Sequence, residues 1–302
     1  NILVHLPGTM EGEAICFNAH QDTVEPGRGI KPVVKDGYLV SSGDTILAAD
    51  DKAGIATIME AYDYVKENNI PHREMYFLFT ICEELNMMGI KNFDFSKLPT
   101  KNIYVIDSAG SPGVMTMKNP AKVGIVATFT GKKAHGGIEP EKGVNACCAM
   151  AKAIAGVHFG RIDPETTSNV GRVEGGGQTN VVSDSAFFTA EIRSHSAETL
   201  EAEIEKVRKS CEEAAAAFGA QVDVQVSYDY PTKKLDPESF VYKQCYAAYV
   251  KEGITPKQIM AGHGYMACGL ACGMTDVHSS KEKLNLAEFA QTVRIVVTLM
   301  TE

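Results

Sequence analysis

The chain has 302 residues, of which 44% are hydrophobic and 22% charged, and it carries a formal net charge of −9. That is long enough for one large domain or two modest ones with a real core, and the composition excludes a disordered chain or a fibre. The missing basic footprint argues against a nucleic-acid partner, and no apolar run approaches the ~20 residues that would span a membrane. The opening Asn1-Ile2-Leu3-Val4-His5 has no Met and no signal-peptide pattern, so the chain reads as a trimmed piece of a longer protein.

Residues 1 to about 115 alternate short apolar strands with helical segments, the pattern of an α/β sheet. The run Ala14-Ile15-Cys16-Phe17 reads as a buried strand that delivers His20 and Asp22 where it ends. Residues two apart on an extended chain point the same way, so this imidazole and this carboxylate face one space. A metal-ligating histidine held by a carboxylate fits that pair, and so does a plain polar loop after a strand. Gly37-Tyr38-Leu39-Val40 suggests a short strand after a turn. Asp50 and Asp51 open an amphipathic run with Ile55, Ile58, Met59, Tyr62 and Val65 at helical spacing. One of the two acids can cap the helix; the other is a candidate ligand.

Met75 to Cys82 is the clearest buried strand, and it runs into the adjacent carboxylates Glu83 and Glu84. A solvated loop accounts for one such acid more easily than for two like charges at the edge of a core, which a metal would offset. Asn102 to Asp107 repeats the pattern of an apolar strand ending in an acid. Sites in open α/β sheets form outside the carboxyl ends of the strands, and the convergence there of His20/Asp22, Glu83/Glu84 and Asp107, with Asp50 at a helix mouth, marks a candidate metal site.

Near Ala121 the style changes. Val123 to Thr130 reads as a strand and Val144 to Val157 as a helix; a Gly-rich turn at 174–177 precedes a strand from Ala186 to Arg193. Ser196 is a candidate N-cap for a long helix ending near Gly219, and Val222 to Val226 reads as a last strand. The order is that of a ferredoxin-like α+β module. From about Pro231 the chain returns to the first domain, and Ala287 to Leu299 reads as a final helix preceded by His278. The expected organisation is a first domain of residues 1–118 and 229–302 interrupted by a module over 119–228. The eight cysteines form no disulfide or zinc framework: Cys147 and Cys148 are adjacent, Cys16 and Cys82 sit in apolar runs, and the spaced pair Cys268 and Cys272 has no second pair beside it. Unpaired buried thiols fit a reducing cytosol, so a cytoplasmic location is expected.

Taken together, His20-Gln21-Asp22, Ala49-Asp50-Asp51-Lys52-Ala53-Gly54, Glu83-Glu84, Asp107 and His278 resemble the five blocks of the co-catalytic zinc exopeptidases and deacylases. That family includes peptidase T, carboxypeptidase G and the aminoacylases. Gly131-Lys132-Lys133-Ala134-His135-Gly136-Gly137, Gly176-Gly177-Gln178-Thr179-Asn180 and Glu191-Ile192-Arg193-Ser194 match its inserted module, and the acidic blocks are most similar to the peptidase T-like branch. The resemblance implies a zinc-peptidase-type α/β sheet flanked by helices and interrupted by a ferredoxin-like lid or dimerisation domain, with a homodimer through that domain. It implies two zinc ions per subunit, a ligand set that also admits cobalt or manganese. Asp50 would bridge both ions; His20 and Asp107 would complete one shell, Glu84 and His278 the other. Asp22 would orient His20. Glu83 would be the general base toward the water shared by the ions. A cis peptide is implied between Asp50 and Asp51. His135 would stabilise the oxyanion, from its own subunit or a neighbour, and Asn180 and Arg193 would bind the substrate.

The implied reaction is hydrolysis of an amide bond in a small peptide, removing the N-terminal residue of a tripeptide. An N-acyl amino-acid deacylase or a dipeptidase uses the same scaffold, and a non-catalytic metal-binding interaction protein could keep the fold. The unligated Glu83 weighs against the last, because a pure binder needs no free base. The chain departs from the family pattern between Ala261-Gly262-His263-Gly264-Tyr265 and His278: this connection is several residues shorter than usual and lacks the usual Asp, which again reads as residues missing from the chain.

Overall fold

A computed structural model describes residues 1–260 and 268–302, so the shortened connection at Ala261-Tyr265, with His263, lies outside the described residues. Two units separate. Among the described residues, one comprises Asn1–Met117, Leu235–Met260 and 268–302; the other is Lys118–Lys234.

In the first unit the apolar run at Met75 forms the strand Met75–Thr80, buried at five of its six positions. It pairs parallel with Ile15–His20, which pairs parallel with Ile103–Ser108, which in turn pairs parallel with Cys268–Ala271. The strand Ile2–Leu6, not anticipated from the sequence, closes the other edge antiparallel to Met75–Thr80. Near-continuous apolar runs are what a sheet covered on both faces demands. Phe17 stacks on Tyr104 at 5.5 Å and meets Phe77 edge-on at 6.4 Å, in the middle of the core.

The register decides where the acids go. His20 pairs with Thr80, and Asn18 pairs with Val105, which puts Asp107 level with His20. The helix Ala49–Glu67 packs on Ile15–His20 and on the final helix Leu286–Thr301. Ile58 and Val65 are buried as the spacing predicts, but Met59, assigned to the same stripe, is 53% exposed. A second, antiparallel sheet runs in the order Met274–Thr275, Lys283–Asn285, Tyr38–Ser41, Pro32–Lys35. The predicted turn before Tyr38 is a two-residue hairpin turn with Asp36 at φ 51° and Gly37 at φ 80°, which suits Asp-Gly. The connection between Met274–Thr275 and Lys283–Asn285 carries His278.

The second unit is a five-stranded antiparallel sheet in the order Gln221–Tyr230, Ala121–Thr130, Ser185–Ser194, Thr166–Gly175, Gly160–Asp163. Alternation along Ala121–Thr130 buries Val123, Ile125, Ala127 and Phe129 beneath the helices Ala146–Ala155 and Ala197–Phe218. Ser196 accepts a hydrogen bond from the Thr199 N–H at 3.2 Å, and Gly219 ends the long helix at φ 70°, as the cap residues predict. The sequence reading leaves Thr166–Gly175 unplaced, because its second half is exposed and has no apolar alternation. Gln221–Tyr230 runs two residues past the expected limit at 228. Among the described residues no helix is long and apolar enough to cross a membrane.

Candidate metal centre

The strand Ile15–His20 ends with His20 only 2% exposed. Its Nε2 lies 2.8 Å from Asp50 Oδ1, 3.8 Å from Asp107 Oδ1 and 4.0 Å from Glu83 Oε2. The second oxygen of Asp50 faces a different imidazole, His278 Nε2, at 3.1 Å. That same nitrogen is 2.9 Å from Glu84 Oε1, yet Glu84 Oε1 is buried without a hydrogen-bond partner. The approach is close but not aligned for a hydrogen bond. All five residues expected as ligands, and Glu83, therefore come together in the first unit. Donor atoms of His20, Asp50 and Glu84 lie within 4.8 Å of one another, as do those of His20, Asp51 and Asp107.

Asp50 and Asp51 stand at the mouth of their helix with non-helical backbone, and the peptide between them is cis. Their roles divide. Asp51 is fully buried, and its carboxylate accepts the Gly54 N–H at 3.1 Å and the His20 N–H at 3.0 Å, capping the helix and tying it to the strand end. Gly54 allows this approach: a Cβ there would meet Ile106 O at 2.2 Å and Asp51 Oδ1 at 2.3 Å.

Asp22, expected to orient His20, sits beside it and meets it chiefly through the main chain. The imidazole Nδ1 pairs with the Asp22 main-chain carbonyl at 3.0 Å, while Asp22 Oδ1 is 3.6 Å away. Both carboxylate oxygens are engaged elsewhere, accepting the N–H groups of Glu83 at 3.0 Å and Glu84 at 3.1 Å. The residue thus joins one strand end to the acidic turn after the next.

The electrostatics are unbalanced, with carboxylates outnumbering imidazoles in a poorly solvated space. Burial alone would lower the His20 pKa, but the hydrogen bond to Asp50 and the charges of Asp107, Asp50 and Glu83 raise it to about 9. Burial, then the charge of neighbouring carboxylates, pushes Asp107 and Asp51 well above the usual range and raises Glu83 and Glu84. Burial also works against ionisation of Asp50, but its bond to His20 and the two imidazoles outweigh that and hold it low. Oxygen and imidazole donors, a shared central carboxylate and an orphaned buried Glu84 oxygen fit a divalent cation such as zinc.

His135, Asn180 and Arg193 belong to the second unit. His135 is exposed; its main chain pairs with Val181, and its Nδ1 accepts the Gly137 N–H at 3.2 Å, which leaves Nε2 as the donor nitrogen. Asn180 is exposed, and its carbonyl accepts the Gly136 N–H at 2.7 Å. The Arg193 guanidinium is paired with Glu191 on the same strand, at 2.9 and 3.4 Å. One residue escaped the sequence reading altogether: Glu282, 2% exposed, whose carboxylate reaches the main chain in front of Asp51. Its only signal is an acid four residues after His278 in a polar stretch, too little to mark it.

Comparison with known proteins agrees with this geometry. Residues 1–124 match the family model described as Peptidase family M28, and residues 120–218 match the one described as Peptidase dimerisation domain. The chain is 39% identical to the uncharacterized protein YqjE of Bacillus subtilis, over all of this chain and 84% of that one. It superposes on the crystal structure of aminopeptidase PepT from Bacillus cereus with a TM-score of 0.90 and 41% identity, covering 99% of this chain and 83% of the other. On a tripeptidase from Staphylococcus aureus the TM-score is 0.93 at 31% identity, with the same coverage.

Proposed function

Because the chain belongs to the peptidase T-like branch of the metallopeptidases, we propose that it removes the N-terminal residue from short peptides, tripeptides first, with two zinc ions per subunit. The observation that carries this reading is the Asp50 carboxylate, one oxygen turned to His20 at 2.8 Å and the other to His278 at 3.1 Å. A carboxylate so placed suits a bridge between two ions, one held with His20 and Asp107 and the other with Glu84 and His278. When bound, such ions polarise the scissile carbonyl and make hydroxide available near neutral pH.

Glu83 is the acid left over. It is 4.0 Å from His20 Nε2 and 32% exposed, and burial and nearby carboxylates raise its pKa, which suits a base that takes a proton from water and returns it to the leaving amine. Asp22 sets the geometry of Glu83 and Glu84 through their N–H groups. On the second unit, His135 would offer Nε2–H to the oxyanion, and Asn180 and Arg193 would recognise the substrate; Arg193 would do so with a guanidinium already oriented by Glu191. The match to a peptidase dimerisation domain supports a homodimer through that unit, and eight free thiols support a reducing, cytoplasmic setting.

The test is release of free amino acid from a tripeptide, a dipeptide, an N-blocked tripeptide and an N-acetyl amino acid. Cleavage of the free tripeptide, abolished by a chelator and restored by zinc, is expected. Preference for the acetylated compound would make the protein a deacylase, and metal binding without turnover of any substrate would make it a non-catalytic binder.

A further inference from the structure

We propose that Glu282 is a positioning residue for the metal centre, bracing the main chain from which Asp50 is presented; this rests on the metallopeptidase reading above. Glu282 is 2% exposed. Its Oε2 accepts the N–H groups of Leu47 at 2.9 Å and Ala48 at 2.8 Å, and its Oε1 accepts the Asp50 N–H at 3.0 Å. One carboxylate thus collects three main-chain donors from the segment that leads into Asp50. Unmet, buried N–H groups are costly.

This segment needs an external brace. Ala48 holds φ 59° and ψ 34°, a left-handed conformation that a residue with a Cβ seldom adopts unaided. Asp50 itself is non-helical, so no turn of helix fixes its direction. Helix capping does not explain Glu282, because Asp51 already caps the helix through Gly54. What Glu282 fixes lies before the cap, at the backbone of the shared carboxylate.

The origin of the brace matters as much as its target. Glu282 closes the connection that also carries His278, and that connection is tied internally: Ser279 Oγ donates to Asp276 O at 2.6 Å, and the Glu282 N–H donates to Ser279 O at 3.1 Å. One short segment therefore supplies an imidazole 3.1 Å from Asp50 Oδ2 and the carboxylate that anchors the Asp50 main chain. Two groups facing the same cation are held in register through a single loop. In metal sites, loss of a group that orients a ligand typically costs about 10–100-fold in metal affinity or activity.

Zinc affinity, measured by competition with a chromophoric chelator, reads this role directly. Glu282→Gln keeps the size of the side chain but turns an amide NH₂ toward a main-chain donor. It is expected to weaken zinc binding about 10–100-fold and to lower kcat with little change in KM, whereas Thr292→Val, the control for lost stability, is expected to keep the parent's zinc affinity. That control removes a buried hydroxyl bonded to Ala271 O at 3.0 Å and carries only a stability cost. Zinc affinity equal to the parent's in Glu282→Gln, or an equal loss in Thr292→Val, would overturn the proposal. If Glu282→Gln does not fold, Glu282→Asp decides: it keeps the charge but cannot reach all three donors, so unchanged affinity there also overturns it. A parent protein that binds no zinc would instead remove the metallopeptidase reading itself.

Discussion

In the parallel sheet of the first unit, the ionisable groups wait at the strand ends, after runs that are otherwise apolar, and they arrive mostly as acids. In the antiparallel sheet of the second unit, charges lie along the strands and answer one another: Arg193 pairs with Glu191 at 2.9 Å, and Lys122 with Asp229 at 3.2 Å and Glu191 at 3.9 Å. The second arrangement is balanced and half-solvated, and it needs nothing further. Among the described residues the first is balanced only by two imidazoles, and the hydrogen bond to Asp50 and the surrounding carboxylate charges push the His20 pKa up to about 9. A self-neutralising network calls for no added counter-charge, whereas a buried surplus of one sign calls for one and so marks a candidate site.

The strongest way to break this contrast is Glu83→Gln. If Glu83 is the base, kcat falls about 10²–10⁴-fold while zinc is still bound. Metal-free protein should meanwhile become more stable, by about 0.5–2 kcal/mol, because a half-buried like charge has been removed. Urea unfolding with and without zinc, beside steady-state kinetics, checks both halves. A variant that loses stability and keeps turnover within tenfold of the parent would make the acidic cluster a structural network like that of the second unit.

A smaller effect separates the two accounts of Asp22. Asp22→Asn preserves the main-chain carbonyl that meets His20 Nδ1, so an effect through His20 should be slight. It places an amide where the N–H of Glu83 or Glu84 now finds an oxygen. Zinc affinity is therefore expected to fall about 10–100-fold at the ion assigned to Glu84 and His278, with the other retained, as read by metal titration. Loss confined to the ion assigned to His20 and Asp107 would return Asp22 to the role of orienting His20.

Asp22 shows where sequence reading stops. The strands Ile15–His20, Met75–Thr80 and Ile103–Ser108 were legible because burial on two faces requires continuous apolar runs, and an acid ending such a run is conspicuous. Asp50 stood out at a helix mouth; the family resemblance then gave it the bridging role and added His278 from far along the chain. Which oxygen of Asp22 meets His20 depends on a side-chain torsion and on competition from the Glu83 and Glu84 N–H groups, neither of which leaves a periodic trace. Glu282 was invisible for a related reason. Its partners are main-chain donors at Leu47, Ala48 and Asp50, and main-chain donors have no sequence signature. Thr166–Gly175 was missed because its exposed half is held by ladder pairing with Ser185–Ser194 and not by an apolar face.

The smallest effect tests the other side of the contrast. Ser196 Oγ accepts the Thr199 N–H at 3.2 Å at the start of Ala197–Phe218, a helix that covers the second core with Leu200, Ile204, Val207 and Cys211. This is also a side-chain oxygen meeting a main-chain donor, as in Asp22 and Glu282, but the helix it caps belongs to the second unit. Ser196→Ala should cost about 1 kcal/mol and lower Tm by about 2–4 °C, with zinc affinity equal to the parent's. Differential scanning calorimetry and the chelator competition measure the two independently. An unchanged affinity would mean that caps in the second unit support only the fold, while similar bonds in the first unit support the centre. A fall in affinity matching that of Asp22→Asn would mean that stability anywhere in the chain limits zinc binding, and the distinction between balanced and unbalanced charge would lose its functional meaning.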